Sequence, residues 1–184
     1  MKTDVKAQII DAEGMSRTIA RLTHEILERN RGMQDVVLVG MRTRGEYLAQ
    51  RLAQKMESIE GSSPPLGVLD VTLYRDDYRQ RLRQPVVQST EIPSGIEEKI
   101  VVLVDDVLYT GRSVRAAMGA LMDIGRPAEI QLAILLDRGH RELPICADFI
   151  GKNIPTAPNE EVQVKMQEID DEDAVYLVTV QEDA

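Results

Sequence analysis

The strongest chemical signal in the chain is a pair of adjacent carboxylates followed by a turn of small and hydroxyl-bearing residues. Asp105 and Asp106 end an apolar run, Thr110 and Gly111 close the turn, and Ser113 follows in a predicted helix. The unpaired N–H groups and the positive dipole end of a helix start favour a phosphate there. Adjacent carboxylates repel each other without a partner, and ribose hydroxyls or a magnesium ion would supply one. The segment therefore predicts a site for a phosphorylated ribose.

Two common nucleotide-binding loops do not fit this segment. A Walker-type loop requires Gly-Lys-Ser or Gly-Lys-Thr, and a dinucleotide fingerprint requires Gly-x-Gly-x-x-Gly, and the chain has neither pattern. The remaining alternative is a strand end with two solvated acids and an ordinary helix N-cap. The particular order of apolar strand, acids, hydroxyl turn and helix argues against it.

The flanking segments predict an α/β domain with a mainly parallel sheet. Asp11 is expected to cap a helix that runs to about Asn30 and stops near Gly32, and residues 137–155 are expected to be irregular. Buried strands are predicted at 36–39, 67–72, 99–105 and 129–136, helices after 45 and at 112–124, and late strands at 161–166 and 175–180.

Three polar clusters follow the predicted parallel strands. They are residues 40–42, 105–106 and 137–138. Ligands of such sheets bind at the carboxyl ends of the strands, so the three clusters are expected to converge on one rim. Residues 40–44 lie at a strand end before a helix, a suitable place for binding an anionic pyrophosphate.

Composition restricts the class of protein. The chain of 184 residues suits one domain over 1–184, and its lone Cys146 excludes an internal disulfide and a cysteine-based zinc site. With no Trp and one Phe, a stacking platform for single-stranded nucleic acid is hard to assemble. No apolar run could cross a bilayer, so a cytoplasmic location is expected.

The negative charge is concentrated at the C-terminal end. The net charge is -9, but residues 159–184 hold nine acids and one base, which leaves a net of -1 for residues 1–158. A basic surface elsewhere therefore remains possible. Residues 74–96 form a long polar, arginine-rich stretch, and such stretches within a compact domain are usually lids or binding loops, the alternative being a flexible hairpin without function.

The segment 101–113 resembles the motif that binds 5-phosphoribosyl-1-pyrophosphate (PRPP) in type I phosphoribosyltransferases. The resemblance implies that the two acids hold the ribose hydroxyls and that the following loop holds the 5-phosphate. Purine-using relatives often have an acid where this chain has Tyr109, which favours a pyrimidine. The residues expected to bind PRPP or nucleotide are Met41, Arg42, Thr43, Arg44, Asp105, Asp106, Val107, Leu108, Tyr109, Thr110, Gly111, Arg112 and Ser113.

A closer resemblance, covering nearly the whole chain, is to the PyrR family. It rests on the sequences at 72–77 (Thr-Leu-Tyr-Arg-Asp-Asp), 105–112 (Asp-Asp-Val-Leu-Tyr-Thr-Gly-Arg), 137–144 (Asp-Arg-Gly-His-Arg-Glu-Leu-Pro) and 151–156 (Gly-Lys-Asn-Ile-Pro-Thr). These proteins are bifunctional regulators of pyrimidine operon attenuation with uracil phosphoribosyltransferase activity. The implied fold is the type I phosphoribosyltransferase fold, with a central, mainly parallel sheet flanked by helices, a flexible loop at about 74–97 and a small hood at about 137–158.

The implied reaction converts uracil and PRPP to UMP and pyrophosphate. The resemblance makes Asp105, Asp106 and Arg42 the catalytic residues and places Asp137 and Arg138 at the uracil. Magnesium is expected to bind together with PRPP, and no protein ligand is assigned to it. The residues expected to close over the site are Tyr74, Arg75, Asp76 and Asp77.

The second implied activity is binding of pyrimidine-operon leader mRNA, with UMP or UTP as co-regulator. The residues expected to contact RNA are Arg17, Arg21, His24, His140, Arg141 and Lys152. Glu28 shares a helix face with the first three and weakens that patch. A homodimer or higher homo-oligomer is expected, since one subunit's first helix offers a small RNA footprint.

Three hypotheses compete at this point. The chain is a working uracil phosphoribosyltransferase that also regulates transcription, a regulator that keeps the nucleotide site only as a sensor, or a phosphoribosyltransferase for another base without an RNA role. Tyr109 and the segment after Asp137 argue against the third. An intact pyrophosphate segment favours the first over the second, because sensing UMP alone would not require it.

Overall fold

The computed structural model describes residues 2–71, 90–93 and 95–181. Its elements, in chain order, are β1 (Lys2–Ile10), α1 (Ala12–Asn30), β2 (Val36–Met41), α2 (Arg44–Glu60), β3 (Leu66–Leu69), β4 (Ile100–Leu108), α3 (Arg112–Ile124), β5 (Glu129–Asp137), β6 (Phe149–Asn153), β7 (Glu160–Lys165), α4 (Gln167–Asp170) and β8 (Ala174–Gln181). None of the helices within these ranges is long and apolar enough to cross a membrane.

Five strands form the central sheet, in the order β3-β2-β4-β5-β6, and every neighbouring pair is parallel. The middle strand, β4, has β2 on one side and β5 on the other, and Leu108 is in register with Asp137. The carboxyl ends of β2, β4 and β5 therefore lie side by side. The expected parallel sheet and its shared rim are confirmed.

Alternating side chains of β4 face two separate cores. Val102 and Val104 belong to the core that also contains the buried faces of α1 and α2. Val101 and Leu103 belong to the opposite core, which α3 covers. A strand buried on both faces requires an uninterrupted apolar run, which is what the sequence provides here.

A second, smaller sheet is built from both ends of the chain, in the antiparallel order β1-β8-β7. The late strands were predicted, whereas β1 was not. Residues 149–153 were expected to be irregular, and that expectation was wrong, because they form the edge strand β6 of the central sheet. The expected hood region, about 137–158, thus contributes to the main sheet, and the small sheet lies outside those boundaries.

Helix α1 begins after Asp11 and ends at Asn30, as predicted. The Asp11 side chain accepts a hydrogen bond of 2.7 Å from the Gly14 amide, an ordinary N-cap. At the other end Arg31 is the C-cap residue, with φ of 56°, and Gly32 follows it with φ of 109°. The Gly32 amide donates to the Leu27 carbonyl at 2.9 Å, so the glycine occupies the next position of a Schellman-type end.

Candidate functional site

The two acids lie within the last residues of β4. The Asp106 amide donates to Asp105 Oδ1 at 2.9 Å, and the Val107 amide donates to Asp106 Oδ1 at 2.9 Å. Both carboxylates are half-buried. Burial raises the pKa of Asp106, while a hydrogen bond with Asp105 and the charge of Arg44 act in the opposite direction. The acid pair is therefore held at the rim by hydrogen bonds from the backbone amides that follow each acid.

A concavity follows the acids at the start of α3. Gly111 precedes this helix with φ of 90°, a conformation that favours glycine, and the Arg112 amide lies 3.4 Å from Thr110 Oγ1. A cavity of about 250 Å³ opens here, and it is lined by Asp105, Val107, Leu108, Tyr109, Thr110, Gly111, Ser113, Val114 and Arg138. All of these except Val114 were predicted site residues.

Residues 41–44, the expected pyrophosphate segment, connect β2 to α2 and do not line this cavity. The Met41 side chain is buried in the core, so only its backbone is available to a ligand. Arg42 Nη1 lies 3.5 Å from Glu46 Oε2, and the Arg42–Thr43 peptide bond is cis. Arg44 Nη2 donates to both carboxylate oxygens of Asp170, at 3.2 and 3.1 Å.

Two glycines, Gly40 and Gly45, bring the start of α2 close to the acids, a packing role that was not predicted for either. A Cβ on Gly45 would lie 2.4 Å from the Val104 carbonyl oxygen and 3.1 Å from Asp105 Cα. A Cβ on Gly40 would lie 2.5 Å from Glu46 Cα. Glycine at both positions lets the backbone of α2 lie directly against the rim of the sheet. The spacing of two glycines around residues 41–44 was the available signal.

The opposite wall of the cavity is a stacked arrangement around Tyr109. The Arg138 guanidinium lies 4.1 Å from the centroid of the Tyr109 ring, and the His140 ring meets it edge-on at 6.0 Å. Arg138 is buried, and it donates to Thr156 Oγ1 at 3.2 Å and to the Glu160 carbonyl at 2.5 Å. These bonds fix Arg138, which in turn fixes Tyr109 by a cation–π contact.

Asp137, the other residue expected at the uracil, is bound within its own loop. Its carboxylate accepts from the Gly139 amide at 2.9 Å and pairs with Arg141. Arg141 also donates to carbonyl oxygens of its surroundings, including those of Tyr109 at 2.7 Å and Ile145 at 3.1 Å. Asp137 and Arg141 thus shape the loop beside the cavity.

The residues expected to bind RNA fall into two regions. Arg17, Arg21 and Lys152 line a cleft of about 540 Å³ between β1 and α1, and His24 is exposed further along α1. His140 and Arg141 lie instead beside Tyr109, where His140 Nε2 is 2.6 Å from the Thr156 carbonyl. The structure therefore does not bring all six into one patch.

The expected lid and the expected magnesium ion remain to be considered. The lid residues at 74–77 are outside the described residues. Within the described ranges, no group of three or more His, Cys, Asp or Glu side chains could hold a metal ion. A pair of carboxylates fits the preference of Mg²⁺ for one or two carboxylates supplemented by substrate phosphates.

Comparison with known proteins decides the family. The phosphoribosyl transferase domain family matches residues 6–169. A protein named Bifunctional protein PyrR from Pelotomaculum thermopropionicum is 58% identical over 177 residues, covering 96% of this chain and 98% of that protein. The Bifunctional protein pyrR of Enterococcus faecalis is 54% identical over 172 residues, covering 94% and 96%.

The chain belongs to the PyrR family.

Solved structures place this member of the PyrR family within a wider fold. A hypoxanthine-guanine phosphoribosyltransferase from Bacillus anthracis superimposes with a TM-score of 0.70 at 16% identity, covering 97% of this chain and 99% of that one. The hypoxanthine phosphoribosyltransferase of Trypanosoma cruzi gives 0.72 at 17% identity, covering 96% and 98%. At such low identity the likeness establishes only the fold. The expected family and type I phosphoribosyltransferase fold are both confirmed.

Proposed function

We propose that this protein regulates a pyrimidine operon by binding its leader mRNA and also converts uracil and PRPP to UMP and pyrophosphate. Membership of the PyrR family supports both activities. The main structural support for the catalytic activity is the composition of one cavity. Asp105, the turn and helix start at 110–113, and a wall formed by Tyr109 and Arg138 all line it. A ribose, its 5-phosphate and a flat base require these three environments side by side.

The site would act mainly by positioning the substrates. The acid pair faces the ribose hydroxyls, which donate hydrogen bonds to the carboxylates. The amides at the start of α3 and the hydroxyls of Thr110 and Ser113 hold the 5-phosphate. Displacement at the anomeric carbon develops positive charge on the ribose ring, and the neighbouring carboxylates stabilise that charge.

The leaving pyrophosphate is assigned to residues 42–44 at the start of α2. Its charge calls for cations, and Arg42 and Arg44 supply them at the rim. Magnesium bound to the substrate's phosphate oxygens would neutralise further charge. We assign the ion to PRPP and the acid pair to the ribose, with no protein cage for the metal.

Tyr109 is the residue we assign to base preference. Its ring is fixed by Arg138 on its face and by His140 at its edge. An aromatic side chain here offers no carboxylate to pair with a purine ring, so a pyrimidine fits better. Asp137 and Arg138 contribute by holding this wall, and the backbone of their loop supplies groups that can read the edges of uracil.

Leader mRNA is assigned to the cleft lined by Arg17, Arg21 and Lys152, with His24 beside it on α1. Basic side chains around a cleft suit an RNA backbone next to unpaired bases. UMP or UTP in the nucleotide cavity would act as co-regulator. The proposal includes a homodimer or higher homo-oligomer and a cytoplasmic location, where PRPP and nascent transcripts are found.

The decisive test uses labelled uracil with PRPP and magnesium. UMP should form with the unaltered protein and should be absent with an Asp105→Asn/Asp106→Asn variant that still unfolds in one cooperative transition. Parallel reactions with hypoxanthine and guanine should give no product, and a purine nucleotide would contradict the role of Tyr109. If the folded parent gives no UMP across a range of pH, catalysis is refuted. Leader-RNA binding with and without UMP would then test the sensor alternative.

A further inference from the structure

A cluster of charges outside the cavity connects α2 to the segment 165–173. Two arginines of α2, Arg44 and Arg51, are seven residues apart and thus share one face of the helix. Arg44 pairs with Asp170, and Arg51 pairs with Glu168 at 2.7 Å and Asp173 at 2.7 Å. The two pairings are about 10 Å apart along the helix, since each residue adds 1.5 Å. Only the Arg44 pairing lies at the sheet rim.

Asp170 is well built to hold a guanidinium. Its side chain is 13% exposed, and its two oxygens accept from the Met166 amide at 3.0 Å, from Lys165 at 3.3 Å and from Arg44. Burial alone would raise the pKa of Asp170, but the Met166 amide and the Arg44 guanidinium lower it overall. The carboxylate is therefore ionised and fixed in direction before any ligand arrives.

Arg44 retains donors that Asp170 does not use. Asp170 binds only Nη2, and Nε is buried without a hydrogen-bond acceptor among residues 2–71, 90–93 and 95–181. The charge of Arg44 is also close enough to influence Asp106 at the end of β4. A buried donor of this kind is costly. The Arg44 side chain as a whole is 32% exposed, so part of it is accessible to an anion at the rim beside the acid pair.

We propose that Asp170 is a positioning residue that aims Arg44 at the pyrophosphate group of PRPP. The inference rests on the proposed function, because it presumes a ligand that carries pyrophosphate. Without Asp170 the guanidinium would lose the carboxylate that holds it and would have to be ordered at the moment of binding, which weakens affinity. The nucleoside monophosphate product has no pyrophosphate, so its affinity should not depend on Asp170.

The test compares Asp170→Asn with Asp173→Asn. Both remove a negative charge from the same short segment and both break an arginine pair with α2, but Asp173 contacts Arg51, far from the rim. Binding of magnesium pyrophosphate and of UMP is measured by calorimetry, and KM for PRPP by turnover. Asp170→Asn should weaken pyrophosphate binding and raise KM about tenfold, the usual loss for one charge-assisted hydrogen bond. Asp173→Asn should change both less than twofold, and UMP affinity should stay constant in both variants.

Several results would overturn the assignment. They are an unchanged pyrophosphate affinity in folded Asp170→Asn, an equal loss in Asp173→Asn, or a parallel loss of UMP affinity. If Asp170→Asn fails to fold, Arg44→Gln provides the second variant, and it must show the same selective loss of pyrophosphate affinity. Binding is read independently of turnover. A parent that forms no UMP but binds pyrophosphate in an Asp170-dependent way would refute the proposed activity and leave this assignment standing.

Discussion

Replacing Gly45 by alanine should separate α2 from the acid pair. The new Cβ would lie 2.4 Å from the Val104 carbonyl oxygen, and real Cβ contacts essentially never fall below 3.0 Å, so the backbone must yield by about 0.6 Å. Overpacking of this kind costs about 1–3 kcal/mol, and alanine returns up to about 1 kcal/mol of helix propensity. We expect a net loss of about 1–2 kcal/mol, because the contacts on the strand side are with backbone atoms.

The same displacement moves the pyrophosphate segment. Since a misplacement of about 1 Å can cost about 100-fold in rate, kcat/KM for PRPP should fall at least about tenfold in Gly45→Ala. Gly119→Ala is the matched control, because Gly119 also lies in a helix and its Cβ would meet nothing within 4 Å. That variant should gain about 0.5–1 kcal/mol and keep its activity. Urea unfolding and steady-state kinetics measure both effects. A Gly45→Ala protein as stable as Gly119→Ala would refute the close approach of α2 to β4.

Three further predictions concern charge. Asp106→Asn should abolish UMP formation yet raise the melting temperature at pH 7 by a few degrees. The reason is that burial raises the pKa of Asp106, so the folded state loses stability as pH rises and this carboxylate ionises. A lower melting temperature would contradict this reasoning. Burial acts to raise the pKa of Asp173, but Arg51 and a backbone amide outweigh burial and lower it. Asp173→Asn should therefore reduce the free energy of unfolding by about 1 kcal/mol at neutral pH, and this difference from the parent should shrink as pH falls below about 4. Lys152→Gln should weaken leader-RNA binding and reduce its salt slope by about 1, with UMP synthesis unchanged. Arg141→Gln should in addition lower the melting temperature, because Arg141 holds backbone carbonyls of its surroundings. An Arg141→Gln protein with unchanged melting would show that these backbone contacts contribute little to stability.

The predictable part of the fold is the part governed by local pattern. Apolar runs bounded by glycine and polar residues identified β2, β4 and β5, and periodicity with a capping aspartate identified α1. β1 escaped prediction because it mixes charged and apolar residues, as suits an edge strand that has β8 on one side only. β6 escaped because its five residues include Gly151 and Lys152, which local propensity assigns to a loop.

Gly151 shows what tertiary packing adds to this segment. A Cβ there would lie 2.4 Å from the Leu135 carbonyl oxygen and 2.7 Å from Thr18 Cγ2. The glycine therefore lets both α1 and β5 approach the edge strand closely, a requirement that residues 149–153 alone do not reveal. The site followed the same rule. Residues contiguous in sequence, at 105–113, were identified, whereas Asp170 reaches Arg44 only through the fold.

Charge in the C-terminal segment illustrates how far composition can mislead. The acids at 168–173 belong to the stretch that carries most of the net negative charge, yet Glu168, Asp170 and Asp173 pair with two arginines of α2. These pairings neutralise the charges of Arg44 and Arg51 on the face of α2 that contacts residues 168–173. Of the two arginines, only Arg44 at the rim keeps a buried donor without an acceptor among the described residues. An arginine proposed to bind a pyrophosphate benefits from a partner of this kind. The carboxylate preserves the direction of the guanidinium while the site is empty, so less ordering remains to be done when the ligand binds.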